Sequence, residues 1–368
     1  MGVIEVIEPG LLTTVQDLGR YGYLRHGVPV SGAMDPVALQ LANLLTDNQE
    51  DEACLEVTLS GPRLRFRSPT IIAITGADLS PSLNDAPAPM WESFPVQQGD
   101  VLSFGEHRSG TRAYVAVAGG LDVPVIMGSK STFMKAGIGG FEGRALQAGD
   151  MLLTRLPLSP SEGPGRRVPR SLVPSYDPAL PVRVILGPQD HAFTQAGLDV
   201  LLGEPFTVSA QSDRMGYRLQ GPKVEHVSGP DIISDGIPFG GVQVSGDGQP
   251  IILMADRGTS GGYTKPAVVI SADIGKVAQR MPGDEIRFQP VTLAEAHEAL
   301  TAQESAMATA REYLAAPVSR RRFTITVEGE PFQVDVEMAR AASVVAGRAV
   351  VAGAGEPVKT FAVDAAPR

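Results

Sequence analysis

Short apolar runs separated by turn residues dominate the hydrophobic pattern of this chain. Representative runs are "RLRFRS" at 63–68, "TIIAITG" at 70–76, "DVLSFG" at 100–105 and "RAYVAVAGG" at 112–120, and each is bounded by Gly, Pro, Asn or Asp. Short runs rich in Val and Ile are typical of β-strands rather than of long helices. The pattern therefore predicts a mainly β protein with a few helices, arranged as a barrel or a sandwich.

Two segments have the period of a helix instead. The first is predicted to run from Pro36 to about Leu45, with Asp35 as its N-cap and apolar residues on one face at positions 37, 41, 44 and 45. The second is predicted to begin at Thr292, whose hydroxyl forms a capping box with Glu295, and to be stopped by the proline at position 317.

The segment after the second helix alternates between apolar and polar residues. In "RRFTITVEGEPFQVDVEM" at 321–338, the alternation continues on both sides of a Glu-Gly-Glu turn, which predicts a β-hairpin. The closing residues 352–368 show no such pattern and are expected to fray.

A repeated turn suggests an internal duplication. "QGDVLSF" at 98–104, "AGDMLLT" at 148–154 and "PGDEIRF" at 282–288 each place a Gly-Asp turn before an apolar strand. Between residues 156 and 181 the chain is rich in Pro, Ser and Arg without apolar periodicity, as a linker or a long surface loop would be. We therefore expect a first domain at 1–165, a second at 180–315, and a C-terminal β-hairpin and tail at 320–368.

Composition narrows the class of protein. The formal net charge of −10 opposes long-range attraction to nucleic acid and to anionic membranes, so neither partner is expected. The single cysteine, Cys54, excludes an intramolecular disulfide. The chain has no signal-peptide pattern at its start and no apolar run of about 18 residues. A cytoplasmic location is therefore expected.

Familiar cofactor motifs are absent from the sequence. There is no GxxxxGK[ST] phosphate loop, and the five histidines lack the spacing of a metal site, so no metal is expected. The glycines at 137, 139, 140 and 143 could present amides to an anion, but turn packing explains them as well. His191 beside Asp190 fits either an oriented general base or an ordinary turn.

Two glycine-containing segments carry more polar and charged side chains than packing requires. The first is "TTVQDLGRYGYLRHGVPVSGAMD" at 13–35; its simpler interpretation is a solvated loop with an internal ion pair between Asp17 and Arg20. The second is "MADRGTSGGYTKPA" at 254–267, which follows the apolar strand "PIILM". A charged, glycine-rich loop at the end of a strand is a good place to position an anionic substrate.

Both segments belong to a wider resemblance. Together with "LANLLTDN", "CLEVTLSGP", "DRMGYRLQGP" and "MPGDEIRF", they resemble the signature segments of the allophanate hydrolase subunit 2 family. That family includes component C of the bacterial ATP-dependent 5-oxoprolinase, the carboxyltransferase portion of urea carboxylase, and an antagonist of a sporulation kinase inhibitor. The segments extend from about residue 14 to 290, so the resemblance covers both halves of the chain.

The resemblance implies two cyclophilin-like β-barrel domains with a ligand site in the cleft that both border. It also implies an enzyme subunit: component C of an ATP-dependent 5-oxoprolinase, which converts 5-oxo-L-proline to L-glutamate with components A and B and is inactive alone. ATP would be bound with these partner components, and biotin would not be attached to this chain. Phosphorylating the amide oxygen would turn a poor electrophile into one that water can attack.

The resemblance also assigns roles to residues. Cations would hold a substrate carboxylate or a phosphate, and an aspartate would orient the reactants or accept a proton. For Tyr217, a strand that alternates between faces is the competing explanation. The expected catalytic residues are Asp256, Lys265 and Asp17, and the expected substrate-binding residues are Arg20, Gln16, Arg214, Tyr217, Gln243, Arg257, Thr259 and Tyr263.

Two other functions remain open at this point. The first is carboxyl transfer from carboxybiotin to urea or a related amide. The hairpin resembles the strand pair of some biotinyl carrier domains, but Met338 is followed by Ala339 rather than by the lysine that carries biotin. The second is a non-catalytic regulator that binds a kinase-inhibiting homologue of component B.

Overall fold

The computed structural model describes residues 1–155 and 165–316, and the backbones of four strands between 318 and 365. The α-helices of these regions are α1 (Pro36–Leu45), α2 (Gln195–Gly203), α3 (Ile274–Ala278) and α4 (Leu293–Ala315). The strands are β1 (Gly2–Glu8), β2 (Leu12–Gln16), β3 (Cys54–Thr58), β4 (Arg63–Phe66), β5 (Thr70–Asp78), β6 (Ser82–Leu83), β7 (Ala86–Pro87), β8 (Ser93–Val96), β9 (Val101–Ser103), β10 (Ser109–Val117), β11 (Met151–Thr154), β12 (Val182–Leu186), β13 (Phe206–Val208), β14 (Gly216–Gln220), β15 (Asp231–Gly236), β16 (Gly241–Val244), β17 (Pro250–Leu253), β18 (Ser260–Tyr263), β19 (Ala267–Val269), β20 (Glu285–Ile286), β21 (Phe288–Pro290), β22 (Val318–Val327), β23 (Glu330–Arg340), β24 (Val345–Ala352) and β25 (Lys359–Ala365).

The chain divides into two compact units. One unit contains residues 1–166 and 174–301, and the other contains residues 167–173 and 302–368. Both halves that the sequence suggested therefore lie in the first unit. The predicted domain limits at 165 and 180 fall near the short segment that leaves this unit, and residues 156–164 of the predicted linker lie outside the described regions.

The first half consists of two sheets that enclose one core. Six strands pair in the order β11-β1-β4-β9-β6-β7, and five pair in the order β2-β3-β10-β5-β8. The buried side chains that meet between them include Val6, Leu55, Phe66, Ile74 and Val115. They alternate along their strands with residues on the other face. In the five-stranded sheet that other face is buried as well, where Cys54, Tyr114 and Ala116 pack against α1.

The second half is built on a single sheet of eight strands that comes close to closing on itself. Its order is β20-β13-β14-β17-β16-β19-β12-β21, so β20 and β21 lie at opposite edges. Only Arg287 separates these two edge strands in the sequence, and the sheet must therefore curl until its edges approach each other. The mainly β, barrel-like prediction is confirmed, and the cyclophilin-like assignment stays a prediction.

One residue of the first half completes the core of the second. Met34, in the loop before α1, is fully buried and belongs to the same apolar cluster as Val184, Phe206, Ile252 and Phe288. The two halves therefore meet at this point through buried apolar side chains rather than across solvent.

The repeated Gly-Asp turns have the same geometry in all three places. Gly99, Gly149 and Gly283 each have φ between 92° and 97°, a conformation that favours glycine. In each turn the following aspartate accepts a hydrogen bond from the amide two residues before the glycine, at 2.7, 2.7 and 2.9 Å. The local repeat that the sequence suggested is confirmed.

The predicted helix signals are confirmed as well. The N-cap of α1 is Asp35, whose carboxylate accepts a hydrogen bond from the Ala38 amide at 3.2 Å. The capping box of α4 is present in both directions: the Glu295 amide donates to the Thr292 hydroxyl at 3.2 Å, and the Thr292 amide donates to the Glu295 carboxylate at 2.7 Å. No helix in the described regions is both long and apolar enough to cross a membrane.

The C-terminal strands form a sheet of their own in the order β22-β23-β24-β25. The predicted hairpin is confirmed, because β22 and β23 pair antiparallel from Val318 opposite Ala339 to Val327 opposite Glu330. The expectation that residues 352–368 fray is wrong for 359–365, which form β25. This strand was missed because it is held by pairing with β24 rather than by a strong alternation of its own.

We expect Leu64→Ala to lower the free energy of unfolding by about 2–5 kcal/mol, because this side chain is fully buried in the first core and alanine leaves a cavity. The matched control is Leu293→Ala, where 73% of the residue is exposed and the expected change is below about 0.5 kcal/mol. Chemical denaturation measures both values; equal losses would contradict the assigned core.

Candidate functional site

A buried arginine joins the two halves of the first unit. Arg214 lies in the turn before β14, and its guanidinium donates two hydrogen bonds to the carboxylate of Asp256, at 3.0 and 3.1 Å. It also donates to Glu56 on β3 and, at 2.7 Å, to the carbonyl of Gly32 in the loop before α1. Its partners therefore come from both halves, and the side chains of Arg214, Glu56 and Asp256 are at most 7% exposed.

Glu56 is the carboxylate at the centre of this network. The oxygen that does not pair with Arg214 accepts hydrogen bonds from the Tyr114 hydroxyl at 2.8 Å and from the Met34 amide at 2.9 Å. The Tyr114 hydroxyl in turn accepts a bond from the Asp35 amide at 2.8 Å. A buried carboxylate costs little when its oxygens are satisfied in this way.

A second arginine extends the network toward α3. Arg112 on β10 donates to the Tyr217 hydroxyl and, at 2.6 Å, to the carbonyl of Ala278, and its Nε lies 3.9 Å from the Glu56 carboxylate. Its guanidinium also lies 5.5 Å from the centre of the Tyr217 ring, within range of a cation–π contact. Tyr217 is thus a buried strand residue and a polar member of the network at once.

Gln279 also joins the two halves, mainly through backbone groups of the first half. Its side-chain oxygen accepts from the amides of Thr111 and Arg112, at 2.8 and 2.9 Å. Its side-chain nitrogen donates to the Asp35 carboxylate and to the Arg112 carbonyl, both at 3.0 Å. The side-chain amide of Gln279, in the second half, therefore makes four hydrogen bonds to the first half.

The electrostatics of the network keep its arginines charged and its tyrosine neutral. Burial alone would lower the pKa of Arg214, but the charges of Asp256 and Glu56 outweigh it and raise that pKa above its ordinary value. For Tyr114, burial raises the pKa well above the usual range, so its hydroxyl keeps the proton that it donates to Glu56. Burial likewise raises the pKa of Asp35, although its bond from Gln279 acts in the opposite direction.

A cavity of about 540 Å³ lies against this network. Three of the predicted site residues, Arg214, Tyr217 and Asp256, line it, together with Arg112 and Arg280 from outside the predicted set. The apolar part of the lining is contributed by Leu11, Leu12, Leu59, Phe133, Met134, Val208, Ala210, Met215 and Pro282. Apolar walls with a few converging polar groups are typical of small-molecule sites of this size.

Arg280 is the least satisfied cation of the cavity lining. It is 2% exposed and donates from Nη2 to the carbonyl of Leu180 at 2.9 Å, while its Nε and Nη1 have no hydrogen-bond partner among the described residues. Burial lowers its pKa. An incompletely paired guanidinium favours an anionic or strongly polar ligand in this cavity.

The structure places Asp17, Arg20 and Gln16 in a separate buried cluster. The Asp17 carboxylate accepts bonds from the hydroxyls of Ser129 and Ser131 and from the amides of Gly19 and Lys130, so it holds two loops together. The interpretation of this segment as a solvated loop is wrong for its two ends, where Asp17 is 7% exposed, whereas residues 21–27 are mostly exposed.

The expected ion pair between Asp17 and Arg20 is not present either. Arg20 is fully buried and donates to the carbonyls of Ile126 and Ser131, at 3.0 and 2.8 Å. Burial lowers its pKa, against the opposing charges of Asp17 and Asp256. Gln16 donates to the Thr14 hydroxyl at 3.0 Å, which makes it part of the same buried packing.

The glycines at 137, 139, 140 and 143, beside Arg20, serve close turn packing rather than the binding of an anion. A Cβ on Gly139 would lie 2.0 Å from the Ser131 carbonyl, and one on Gly140 would lie 1.8 Å from the Thr132 hydroxyl oxygen. The absence of side chains therefore lets the chain pack against itself. His191 is also an ordinary turn residue, 78% exposed in its side chain, with its amide bonded to Asp190 at 2.7 Å.

The remaining predicted residues form a third group near β18. Arg257 donates to the Ile237 carbonyl at 3.0 Å, and Lys265 pairs with Asp235 at 3.6 Å. Gln243 reaches the Tyr263 carbonyl at 3.5 Å. Thr259 is half-buried, and its carbonyl accepts from Ile237. None of the predicted residues in this group is part of the cavity lining given above.

Sequence reasoning missed four members of the network, Glu56, Arg112, Tyr114 and Gln279, and the cavity residue Arg280. The one local signal was a glutamate in the middle of β3, whose other four residues are all buried; a charged residue there needs a buried partner. In the described regions, no group of three or more acidic, histidine or cysteine side chains could hold a metal ion.

We expect Glu56→Gln to lower the free energy of unfolding by about 3–5 kcal/mol, because it leaves part of the Arg214 charge uncompensated in a buried site. Glu8→Gln is the matched control: its pair with Arg63 is exposed, and the expected loss is below about 1 kcal/mol. Denaturant unfolding of both variants makes the comparison, and similar losses would show that the buried network does not hold the halves together.

Comparison with known proteins identifies the family. Residues 26–290 match the family described as "Carboxyltransferase domain, subdomain A and B". The chain is 39% identical to component C of the Escherichia coli 5-oxoprolinase over 305 residues, which cover 82% of this chain and 96% of that protein. It is 37% identical to urea amidolyase of Lachancea kluyveri over 83% of its length but spans only 18% of that protein.

A solved structure supports the same relationship. The crystal structure of the K. lactis urea amidolyase superimposes with a TM-score of 0.79 at 31% identity, and the match covers 95% of this chain and 23% of the other. The family match includes more than half of the chain and contains Arg112, Arg214, Tyr217 and Asp256. From these matches and the shared fold, the chain belongs to the carboxyltransferase domain family with subdomains A and B.

Proposed function

We propose that this chain is component C of an ATP-dependent 5-oxoprolinase. The observation that carries the proposal is the identity of 39% to component C of the Escherichia coli 5-oxoprolinase across 96% of that protein. The match is nearly end to end, so it concerns the whole component rather than a shared module. Together with components A and B, the chain would convert 5-oxo-L-proline to L-glutamate.

The cavity beside Arg214 is the proposed place for the cyclic amide. A five-membered lactam is a poor electrophile, and ATP would phosphorylate its amide oxygen before water attacks the carbonyl carbon and the C–N bond breaks. This chain lacks a phosphate loop, so ATP would be bound with the partner components. Biotin takes no part in this reaction.

The side chains of the cavity suit the binding and proton-transfer parts of such a reaction. Asp256 is held by two bonds from Arg214 and lies in the lining of the cavity. In that position it would orient the attacking water or accept its proton. Arg280 would offer hydrogen bonds to negative charge that develops on the substrate.

Reconstitution tests the proposal directly. The chain is co-expressed with its partner homologues, components A and B, and glutamate release from 5-oxoproline and ATP is measured with each of the three omitted in turn. We expect turnover only when all three are present. Turnover without this chain, or by this chain alone, would contradict the proposal.

The complete complex then tests Asp256. We expect Asp256→Asn to lower kcat by about 100-fold or more, the usual effect of removing a positioned base, with the complex still intact by size-exclusion chromatography. Asp122→Asn, on an aspartate whose side chain is 45% exposed, is the control and should retain activity. An unchanged kcat in Asp256→Asn would remove this residue from the site.

Carboxyl transfer is the second candidate, and the C-terminal strands favour it. The match to the K. lactis urea amidolyase leaves only 5% of this chain uncovered. The region from residue 318 onward is longer than that uncovered share, so part of it has a counterpart in the urea amidolyase. If reconstitution yields no glutamate, biotin-dependent carboxylation of urea by this chain with separate carboxylase and carrier components is the next assay. Binding to component B with neither activity would indicate a regulator.

A further inference from the structure

Lys265 has an unusual environment for a lysine. The residue is 1% exposed, and its ammonium makes no hydrogen bond to any described residue. The nearest carboxylate oxygen, from Asp235, is 3.6 Å away, which is beyond the distance of about 2.7–2.9 Å that a charge-assisted hydrogen bond has. An ammonium offers three donors, and all three lack an acceptor here.

The backbone of Lys265 is firmly held. Its amide donates to the side-chain oxygen of Gln189 at 3.2 Å, and its carbonyl accepts from the Gln189 amide at 3.4 Å. Gly187 packs so closely that a Cβ there would lie 2.3 Å from the Lys265 carbonyl oxygen. The next residues enter β19 of the eight-stranded sheet. The cation is thus fixed to the body of the second half.

Its counter-ion lies on a much less secured element. Asp235 belongs to β15, which pairs only with β18 in the described regions, and the pairing is irregular between Asp231 and Asp235. The side chain of Asp235 is 57% exposed, and the neighbouring Ile233 is 95% exposed. Two-stranded ribbons of this kind are held weakly. The other oxygen of Asp235 accepts from the adjacent Gly236 amide at 2.7 Å.

We propose that Lys265 is a binding site for the carboxylate of a small molecule, and that Asp235 occupies this site as an exchangeable counter-ion in the free chain. The chemical class follows from the occupant itself: the carboxylate of the mostly exposed Asp235 side chain approaches the ammonium and stops short of hydrogen-bonding distance. A free carboxylate is not tied to β15 and can approach closer, which forms the bonds that the ammonium lacks. No residue of this site lines the 540 Å³ cavity.

Ligand-observed NMR titration of the purified chain tests the site with four probes: 5-oxoproline, glutamate, acetate, and 2-pyrrolidinone, which is the lactam without a carboxylate. We expect the carboxylates to bind and 2-pyrrolidinone not to compete with acetate. Lys265→Met should weaken acetate binding at least about tenfold, the usual range for losing a charged partner. Equal acetate affinity in wild type and Lys265→Met would overturn the proposal.

Asp235→Asn separates an exchangeable counter-ion from a structural ion pair. If Asp235 competes with the ligand, this variant should bind acetate about two- to fivefold more tightly, since a carboxylate that is 57% exposed and 3.6 Å from the ammonium is a weak competitor. Asp231→Asn, on the same strand without the lysine contact, should leave the affinity unchanged. Weaker binding in Asp235→Asn than in wild type would contradict the proposal.

A labelling experiment keeps the test independent of how well Lys265→Met folds. An amine-reactive reagent is applied to wild type and Asp235→Asn, and modification of Lys265 and of Lys223, which is exposed and lies outside the 540 Å³ cavity, is followed by mass spectrometry. We expect acetate to protect Lys265 more than Lys223, and more strongly in Asp235→Asn. Failure of every carboxylate to protect Lys265 in both proteins would overturn the site.

The outcomes also separate this site from the proposed function. Lys265-dependent binding of acetate with no preference for 5-oxoproline or glutamate would support the carboxylate site and give no support to a role in 5-oxoproline hydrolysis. Preference for 5-oxoproline or for glutamate identifies whether the substrate or the product is the natural carboxylate. In the reconstituted complex, loss of turnover on omission of one component reports on the function alone.

Discussion

The ion pairs of Arg214 with Glu56 and Asp256 form the constraint on which the rest of the cleft depends. A guanidinium removed from water requires carboxylates with good geometry, and here one comes from each half of the first unit. Such a network is weak evidence for stability in itself, because an apolar replacement of similar shape can be equally stable. What the network determines is orientation, because its hydrogen bonds can form in only one arrangement of β3 against the loop after β17. That arrangement defines the wall of the cavity.

The neighbouring polar contacts extend this constraint from side chains to backbones. Gln279 bonds to the amides at Thr111 and Arg112, so the start of β10 is fixed against the end of α3. Arg112 then ties Ala278 and Tyr217 to the same strand. Because these groups are buried and most of their polar atoms are bonded to one another, a shift of one half would leave several donors unpaired at once. This explains how the walls of the cavity can be fixed.

How far the sequence could predict this architecture depended on the range of each interaction. The N-cap at Asp35, the capping box at Thr292 and the Gly-Asp turns are local, and each follows from neighbouring residues. Asp256 was found because it lies in a charged, glycine-containing segment, and Arg214 and Tyr217 were found because their segment resembles the family. Glu56 and Gln279 could not be found in this way, since their partners are 158 and 168 residues distant in the chain. Local patterns also grouped Asp17 and Lys265 with Asp256, although their surroundings differ.

The position of Met34 makes the stability of each half depend on the other. This side chain leaves the first half and is fully buried among the apolar residues of the second, while the amide of the same residue bonds to Glu56. Neither half on its own has a complete set of contacts at this point. Separating them would leave a gap in one core and an exposed apolar side chain on the other, so cooperative melting of both halves is a built-in property of the chain. A gene duplication that began with independent barrels would have lost that independence once this residue was inserted.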